Sequence, residues 1–372
     1  VCAIVFVVGL FQGGDLLELF MTAVSLAVAA IPEGLPAIVT IVLALGMNRM
    51  AKKNAIVKRL LAVETLGSVD TICSDKTGTL TQNEMTVTRL YVADKLYEVS
   101  GTGYEPQGEI IEFSSNQVVK QSSPELTRLL EIAALCNEAS LIRKEDQSWT
   151  ILGDPTEGAL LTLSAKLDFL PEILKEKYPR LGDMPFDSSR KMMSVFHEIG
   201  GDYVSFTKGA PDIVLDRCTH ILTEAGVAEL TETTKAKVLE ANSAFANSAL
   251  RVLSFAYKIH PDHDFSNAEQ DMIFVGLCGM IDPARPEAKD AIAVCHGAGI
   301  RAVMITGDYK DTAVAIAKNL NLMQDGDQVL TGAELEKMSD EELEAVCDKV
   351  AVYARVSPEH KVRIVAALKA KT

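Results

Sequence analysis

The chain has 372 residues, which is too long for one ordinary hydrophobic core, so two or more domains are expected. Its net charge of −15 argues against a nucleic acid as partner, because binding to a phosphate backbone requires a basic face, whereas a nucleotide requires only a local cationic pocket. The seven cysteines are scattered without a C-x-x-C pair. They predict buried, reduced thiols rather than a metal site or a disulfide framework.

The first fifty residues are almost entirely apolar. Val1 to Phe11 covers only about half the length needed to cross a bilayer and has no basic region or cleavage site before it, so it is predicted to be the tail of a spanning helix rather than a signal peptide. A second apolar run, Leu19 to Gly46, is long enough to span. The basic residues that follow it predict a cytoplasmic end here. They are Arg49, Lys52, Lys53, Lys58 and Arg59.

The second run contains "AAIPEGLPA". Two prolines flanking a glycine remove backbone donors and interrupt a helix, which frees carbonyl groups of the preceding turn. A carboxylate beside them near mid-membrane is costly and is normally functional. We therefore predict an all-oxygen cation site here, with a kinked structural helix as the alternative. Its predicted ligands are the carbonyls of Val28, Ala29 and Ile31 and the carboxylate of Glu33.

The stretch "SVDTIC" is a short β-branched run that favours a buried parallel strand. It places Asp75 at the carboxyl end of that strand, where open α/β sheets bind ligands, and Gly78 allows the next loop to turn tightly. Similar strand-to-helix units recur in "RAVMITGD" and in "VAVYARVSPEHKVRIVAALK", and "IFVGLCGMIDPARPE" is predicted to supply one more strand. Alternation of strands and helices predicts an α/β fold with a doubly wound parallel sheet.

A carboxylate nucleophile that receives a phosphoryl group needs a hydroxyl to orient the phosphoryl oxygens and a cation to neutralise them. Thr306 and Lys361 follow strands of the predicted sheet and fit these two roles, with Mg²⁺ bridging Asp75 and the phosphate. Taken one at a time, Asp75 is better explained as a loop acid and Lys361 as a solvated helix residue. Their common order on strand ends favours the functional interpretation.

The motifs "DKTGTLT", "TGD" and "IPEGLP" resemble those of the P-type cation-transporting ATPases, most closely the calcium-pump branch, whose phosphorylation domain belongs to the haloacid dehalogenase superfamily. The resemblance implies that Asp75 is phosphorylated by ATP, that Lys76 belongs to the same catalytic segment, and that the Thr77 carbonyl helps to hold Mg²⁺. It implies that Thr306 and Gly307 contact the phosphoryl group and that Lys361 stabilises its charge. Positions near the nucleotide or the domain hinge are matched by Asp308, Arg355 and Asp282.

Thr77 stands where phosphatases of the haloacid dehalogenase superfamily carry a second aspartate, the general acid and base for rapid turnover. Threonine cannot exchange a proton at neutral pH in that role. An aspartyl-phosphate at Asp75 is therefore predicted to persist until another group hydrolyses it. A pump requires that delay, because the phosphorylated state must last through a conformational change.

About 200 residues separate Asp75 from Thr306, far more than an ordinary connection, so a domain is predicted to be inserted between Met85 and Met280. Within it, "PELTRLLEIAALCNEAS" predicts a helix, and residues 193–208 predict a hairpin around Gly200 and Gly201. The predicted organisation is membrane helices in 1–50, a phosphorylation domain in 51–84 and 281–372, and an inserted α+β nucleotide-binding domain in 85–280.

An adenine site requires an aromatic face, cations near the phosphates and a carboxylate or hydroxyl for polar edges. From spacing alone, the phenylalanine would be a core residue and the charged residues would be solvated surface groups. The resemblance instead implies that residues of these types surround the nucleotide. The predicted nucleotide-binding residues are Glu157, Phe186, Lys191, Lys208, Arg251, Asp308 and Arg355.

The resemblance also implies segments that this sequence does not contain, namely an actuator domain with a "TGES" loop, a later "TGDGVND" strand and further membrane helices. The sequence is thus interpreted as part of a multi-pass membrane pump with cytoplasmic catalytic domains. The pump is predicted to use ATP and Mg²⁺ and to transport a cation, for which Ca²⁺ is the favoured identity. Two alternatives stay open. One is a membrane-tethered phosphatase of the haloacid dehalogenase type, and the other is a module that only binds nucleotides.

Overall fold

The computed structural model describes residues 1–32 and 34–371, and its chain divides into two compact units, residues 1–70 and residues 71–372. The first unit is helical. Its helices are α1 (Cys2–Phe11), α2 (Leu16–Ala29), α3 (Gly34–Ala51) and α4 (Leu61–Gly67). Helix α2 begins at Asp15, whose carboxylate accepts the amides of Leu17 and Glu18 at 2.9 and 3.2 Å and so satisfies donors that have no partner within the helix.

Within the described part of the chain, one stretch, Leu16–Ala51, is long and apolar enough to cross a membrane, judged by length and composition. This confirms that the second apolar run reaches the length of a span. Helix α2 ends at Ala29 and α3 begins at Gly34, so the interruption falls at the predicted motif. Glu33, the carboxylate of the predicted cation site, lies outside the described residues.

The carbonyl of Val28, a predicted ligand of that cation site, has a hydrogen-bond partner within the chain. The carbonyl of Val28 is not freed by the interruption, because it accepts the amide of Ile31 at 3.1 Å. The carbonyl of Leu26 likewise accepts the amide of Ala30 at 3.1 Å. A carbonyl oxygen has two lone pairs, so the hydrogen bond from Ile31 leaves one for a cation, and Val28 stays a predicted ligand.

The second unit contains all the strands of the described chain. They are β1 (Thr71–Asp75), β2 (Thr86–Val92), β3 (Lys95–Val99), β4 (Ile110–Glu112), β5 (Gln117–Val118), β6 (Ser140–Arg143), β7 (Trp149–Leu152), β8 (Arg180–Asp187), β9 (Met192–Ile199), β10 (Asp202–Gly209), β11 (Cys218–Thr223), β12 (Gly226–Glu229), β13 (Arg251–His260), β14 (Met272–Ile281), β15 (Arg301–Ile305), β16 (Gln328–Thr331) and β17 (Val350–Ala354).

Ten helices of this unit connect the strands. They are α5 (Pro124–Leu135), α6 (Pro155–Ala165), α7 (Pro171–Lys177), α8 (Pro211–Asp216), α9 (Glu232–Asn247), α10 (Pro286–Gly297), α11 (Lys310–Asn319), α12 (Gly332–Leu335), α13 (Asp340–Val346) and α14 (Pro358–Lys371).

A four-stranded parallel sheet has the order β1-β15-β17-β16. Asp75 is in register with Ile305, and Ile305 with Tyr353, so the carboxyl ends of three strands lie at one edge. Apolar side chains from α11, β15 and β17 form a buried core here, in which Ile316 packs with Met304 and Val352. The three predicted strand-to-helix units are therefore confirmed as neighbours in a parallel sheet.

Strand β1 differs from the predicted buried strand. It is an edge strand of the described sheet, with Ile72 40% exposed and Cys73 exposed. The prediction of buried thiols is wrong for Cys73 for the same reason. It is confirmed for Cys136, Cys218, Cys278 and Cys347, and burial raises the pKa of the Cys136 thiol to about 11.

The second large sheet is mainly antiparallel and has eleven strands, nine of them in the order β5-β4-β3-β2-β14-β13-β10-β9-β8. Helices α5 and α6 cover it through buried side chains such as Leu129, Ile132 and Leu160. The predicted hairpin is confirmed, since β9 and β10 pair antiparallel around Gly200 and Gly201, which have φ of +67° and +94°. The predicted helix is confirmed as α5.

Strand β14 corrects the prediction that "IFVGLCGM" belongs to the parallel sheet. It pairs antiparallel with β13 and with β2, in the middle of the large sheet. A continuous apolar run indicates a strand buried on both faces, but it does not identify the neighbouring strands. The long-range pairing with β2 and β13 decides which sheet contains it.

Candidate functional site

Asp75 is the last residue of β1 and begins the site at the carboxyl edge of the parallel sheet. The loop that follows it turns back at once, because the amide of Thr81 donates to the carbonyl of Lys76 at 3.1 Å. Gly78 has φ of +74°, a conformation that side chains with a Cβ rarely adopt. The tight turn predicted after Asp75 is therefore confirmed.

Lys361 lies in the first turn of α14 and forms an ion pair with the carboxylate of Asp75. The two residues are 286 positions apart in the chain. Both side chains are accessible, with 39% of Lys361 and 46% of Asp75 exposed. The structure thus brings together two residues that were predicted to share one site, and the carboxylate of Asp75 is open to a ligand.

A second ion pair lies behind the first. Lys76 is buried, with 7% of its side chain exposed, and it pairs with Asp308. The hydroxyl of Thr306 accepts the amide of Asp308 at 3.1 Å, and its own hydrogen is available for a further acceptor. The loops after β15 and β17 are joined, because the amide of Arg355 donates to the carbonyl of Asp308 at 3.0 Å.

These loops form one wall of a cavity of about 540 Å³, which we call the cleft. The wall from the parallel sheet includes Lys76, Thr77, Gly307, Asp308, Tyr309 and Arg355, and the opposite wall includes Asp154, Thr156 and Arg251. A Cβ built on Gly307 meets no atom within 4 Å, so its backbone faces open space. The cleft therefore offers backbone and cations to a ligand beside Asp75.

A second cavity of about 530 Å³, which we call the side pocket, lies against β8, β9 and β10. Its residues include Glu157, Phe186, Lys191, Lys208 and Arg251. The Phe186 side chain is 65% exposed rather than packed in the core. An exposed aromatic face in a cavity with cations nearby is suited to stacking on a flat ring.

Lys208 and Glu157 form an ion pair of 2.6 Å in the side pocket, with 7% and 15% of their side chains exposed. Glu157 is also held by the amide of Glu138, which donates to its other oxygen at 3.2 Å. Gly209 lets β10 approach β9 here, because a Cβ at this position would lie 2.6 Å from the Cβ of Met192. Lys208 is thereby fixed in the wall of the pocket.

The cleft and the side pocket adjoin, because Asp154, Thr156 and Arg251 line both. The guanidinium of Arg251 donates to the hydroxyl of Thr156 at 2.9 Å. Asp154 caps the N-terminus of α6 by accepting the amide of Thr156 at 2.8 Å. A single elongated ligand can therefore extend from the aromatic face of Phe186 to the loop after Asp75.

Known proteins are similar to this chain over all or nearly all of its length. The family model described as P-type ATPase, cytoplasmic domain N, matches residues 125–287. A calcium-transporting ATPase 1 from Bacillus cereus is 50% identical over 100% of this chain and 40% of the relative. The chain belongs to the P-type ATPases.

Two further P-type ATPase relatives are similar over nearly the whole chain. A calcium-transporting ATPase from Bacillus subtilis is 46% identical over 98% of this chain, and a cation-transporting ATPase from Synechocystis is 44% identical over 99% of it. Each match covers 41% of the relative, so the chain spans about two fifths of the length of these curated proteins. The matched family model includes α5 to β14 and hence the side pocket.

The residues that the P-type ATPase resemblance assigned fall into two groups in the structure. Asp75, Lys76, Thr77, Thr306, Gly307, Asp308, Arg355 and Lys361 lie at the carboxyl edge of the parallel sheet. Glu157, Phe186, Lys191, Lys208 and Arg251 surround the side pocket. The ion pairs that hold Lys76 and Lys208 were not predicted.

Sequence reasoning missed Asp154 and Thr156, which line both cavities of this P-type ATPase. A signal for Asp154 was present, because an aspartate followed by proline marks a helix start. It also missed Tyr309, whose ring lies under the guanidinium of Arg355. No local pattern marks that contact.

A magnesium ion would have two oxygen donors from this segment, the Asp75 carboxylate and the Thr77 carbonyl. Among residues 1–32 and 34–371 no group of three or more His, Cys, Asp or Glu side chains could hold a metal by itself. Mg²⁺ bound with a nucleotide normally takes one or two carboxylates and completes its shell with phosphate oxygens and water. The half-exposed carboxylate of Asp75 fits that donor set.

Proposed function

We propose that this chain carries the nucleotide site and the phosphorylated aspartate of an ATP-driven cation pump. In this proposal ATP transfers its terminal phosphoryl group to Asp75, and the resulting aspartyl-phosphate drives transport of Ca²⁺. The relatives from Bacillus cereus and Bacillus subtilis are named calcium-transporting ATPases. Since the chain spans about two fifths of their length, the activity of the whole protein is part of the proposal.

One observation carries the proposal. The side pocket with Phe186 adjoins the cleft beside Asp75 through three shared residues, which matches a ligand with a flat base at one end and phosphates at the other. A phosphatase for small esters would need only the cleft. The separate aromatic pocket supports a nucleoside triphosphate as the substrate.

The proposed roles follow from the positions of the side chains. Phe186 stacks on the adenine, and Lys208 lines the same pocket. Arg251, where the two cavities meet, neutralises phosphate charge. Lys361 moves from the Asp75 carboxylate toward the phosphoryl oxygens as they arrive, and so compensates the negative charge of the transferred group.

In the transfer, an Asp75 oxygen forms a bond to the terminal phosphorus while the bond from that phosphorus to its bridging oxygen breaks, and ADP leaves with that oxygen. The Thr306 hydroxyl and the Gly307 backbone orient the phosphoryl oxygens. Mg²⁺ held by Asp75 and Thr77 would supply charge neutralisation to the phosphates when bound. Thr77 offers no proton-exchanging group, so the aspartyl-phosphate lasts.

The organisation proposed for the parent pump assigns 1–50 to membrane helices, 51–84 with 281–372 to a haloacid dehalogenase-like, doubly wound phosphorylation domain, and 85–280 to the nucleotide-binding domain. The interrupted helix contributes part of the cation site through Glu33 and the carbonyls of Val28, Ala29 and Ile31. The protein is proposed to be a multi-pass membrane protein with cytoplasmic catalytic domains. Its partners are ATP, Mg²⁺, the cation and the lipid bilayer.

The test expresses the complete reading frame that encodes this chain and incubates its membranes with ATP labelled at the terminal phosphate. Acid-stable, hydroxylamine-sensitive label is expected on the protein and is expected to disappear in Asp75→Asn. Label that persists in Asp75→Asn refutes the assignment of the nucleophile. Release of phosphate from small esters without any trapped label would instead favour the phosphatase alternative.

Ion identity is tested separately in sealed inside-out vesicles from the same membranes. ATP-dependent uptake of radioactive Ca²⁺ is expected, and Asp75→Asn should abolish it while the same vesicles remain sealed. Uptake of another cation in place of Ca²⁺ would support the proposed pump activity and contradict the proposal that Ca²⁺ is the transported ion. Nucleotide binding without labelling or uptake would favour the binding-module alternative.

A further inference from the structure

Tyr309 supports the side chain of Arg355 inside the cleft. The guanidinium carbon of Arg355 lies 3.5 Å from the centroid of the Tyr309 ring, a cation–π stack. Both residues line the cleft, and Tyr309 is 68% exposed. Tyr309 therefore contributes to the cleft through its contact with a cation and not through packing in a core.

The backbone of Arg355 is held in place by contacts of its own. Its φ is 55°, its amide donates to the carbonyl of Asp308 at 3.0 Å, and its carbonyl would lie 2.2 Å from a Cβ on Gly332. A residue with this φ needs surrounding contacts to maintain it. The ring fixes the far end of a side chain whose near end is already fixed.

Arg355 also differs from the other cations of the cleft. Lys76 is neutralised by Asp308, and Arg251 donates to Thr156. Within the described residues, the Arg355 side chain has neither an ion pair nor a hydrogen bond, so its guanidinium is held by the Tyr309 ring alone. A guanidinium held over an aromatic ring and without a carboxylate partner is preorganised for an incoming anion.

We propose that Tyr309 is a positioning residue, which holds the Arg355 guanidinium ready for the polyphosphate of the nucleotide. This inference rests on the proposed function of the cleft and assigns a role to a residue beyond the nucleotide contacts described above. Arg355 and Tyr309 line the cleft, whereas Phe186 lies in the side pocket. Tyr309 therefore acts on the recognition of phosphates and not on that of the base.

The test measures binding of ATP and of adenosine to the full 372-residue chain in detergent by calorimetry. Tyr309→Leu is expected to weaken ATP binding about two- to fivefold and to leave adenosine binding unchanged, because only the phosphates meet Arg355. Tyr309→Phe keeps the ring and is expected to restore ATP binding. Equal loss of ATP and adenosine affinity, or no rescue by phenylalanine, overturns the inference.

Thermal unfolding checks whether a loss of folding causes this pattern. Tyr309 is exposed and its side chain makes no capping hydrogen bond at the start of α11, so the thermal unfolding of Tyr309→Leu should match that of the unsubstituted chain. Phe113→Leu replaces another exposed aromatic residue, 64% exposed on a turn after β4, and is expected to leave ATP binding unchanged.

A double-mutant cycle separates positioning from direct contact of Tyr309 with ATP. Adding Tyr309→Leu to Arg355→Ala is expected to cause no further loss, because the ring then has no guanidinium to hold. Additive losses overturn the inference and assign Tyr309 its own ligand contact. If the unsubstituted chain binds no ATP, the proposed function and this inference fail together; if Phe186→Ala weakens binding and Tyr309→Leu does not, only this inference fails.

Discussion

Lys208 and Glu157 form an ion pair in the wall of the side pocket, with both side chains largely withdrawn from water. Removal of one partner of a buried pair leaves a charge that neither solvent nor protein neutralises. The cost depends on how much water can still reach the group that remains.

We therefore expect Glu157→Gln to lower the free energy of unfolding by about 3 kcal/mol in urea denaturation. The matched control is Glu98→Gln, because Glu98 pairs with Arg89 at 2.7 Å but half of its side chain is exposed. That control should cost less than about 1 kcal/mol. Equal costs for the two variants would show that burial does not govern the Lys208 pair.

Substitution by alanine is expected to have opposite consequences at Gly307 and at Gly209. A Cβ on Gly307 meets nothing within 4 Å, whereas a Cβ on Gly209 meets Met192 at 2.6 Å and the carbonyl of Lys191 at 2.7 Å. The first glycine leaves space for a ligand in the cleft. The second permits two strands to approach.

Gly307→Ala is accordingly expected to leave the free energy of unfolding within about 0.5 kcal/mol of the unsubstituted chain, and to weaken ATP binding about tenfold by placing a methyl group in the cleft. Gly209→Ala should instead lower the free energy of unfolding by about 1–3 kcal/mol. Urea denaturation and ATP titration of both variants provide the measurements. Normal ATP affinity in Gly307→Ala would argue against ligand contact at this residue.

At the scale of elements, helix α6 is tied to a distant loop by Lys166, the residue directly after its last turn. The ammonium of Lys166 donates to the carbonyl of Ser100 at 2.5 Å. Burial lowers the pKa of Lys166 to about 8. The hydrogen bond that attaches this end of α6 is therefore made by an ammonium group whose burial disfavours its positive charge.

The folded pKa of Lys166 lies below the unfolded value, so the unfolded chain binds more protons between about pH 8 and about pH 10.5. The contribution of Lys166 to stability should then rise with pH across that window. Urea denaturation of the unsubstituted chain and of Lys166→Met, at the two ends of the window, measures the difference. Lys120→Met, which removes an exposed lysine, controls for the loss of one charge.

A difference between Lys166→Met and the unsubstituted chain that stays constant from about pH 8 to about pH 10.5 would contradict the burial of a charged amine at this helix end.

At the scale of the whole second unit, two segments of chain connect the parallel sheet with the antiparallel sheet. One runs from Thr81 to β2, and the other runs from β14 to α10. They are tied side by side, because the Thr81 hydroxyl donates to Asp282 at 2.5 Å and the amide of Glu84 donates to the same carboxylate at 3.3 Å. Arg285 adds a hydrogen bond to the carbonyl of Thr81 at 3.0 Å.

Thr81→Val keeps the shape of the side chain and removes its donor to Asp282, which is only 9% exposed. We expect the free energy of unfolding to fall by about 1–3 kcal/mol, and amide exchange in both connecting segments to accelerate. Thr79→Val is the control, since Thr79 is exposed in the same loop. Similar exchange in the two variants would mean that this hydrogen bond does not hold the connection.

Much of the fold was predictable because the signals are local. The Gly200-Gly201 turn specifies the β9–β10 hairpin, and the strand that ends at Asp75 carries its own turn residue in Gly78. The assignment of β14 failed because an apolar run reports burial and not the identity of its neighbours. The prediction that Cys73 is buried failed for a similar reason, since the position of a strand within a sheet depends on residues far along the chain.

The sequence by itself determined the chemistry available to this protein, namely a carboxylate, hydroxyls and cations at strand ends and an aromatic residue before a hairpin, since side-chain type and short-range pattern are local properties. Only the tertiary structure decided which of these groups meet. Lys361 reaches Asp75 across 286 positions, Lys76 pairs with Asp308, and three residues join the cleft to the side pocket. Such contacts form because distant segments pack against one another, and the free energy of that packing is not recorded in any single stretch of chain.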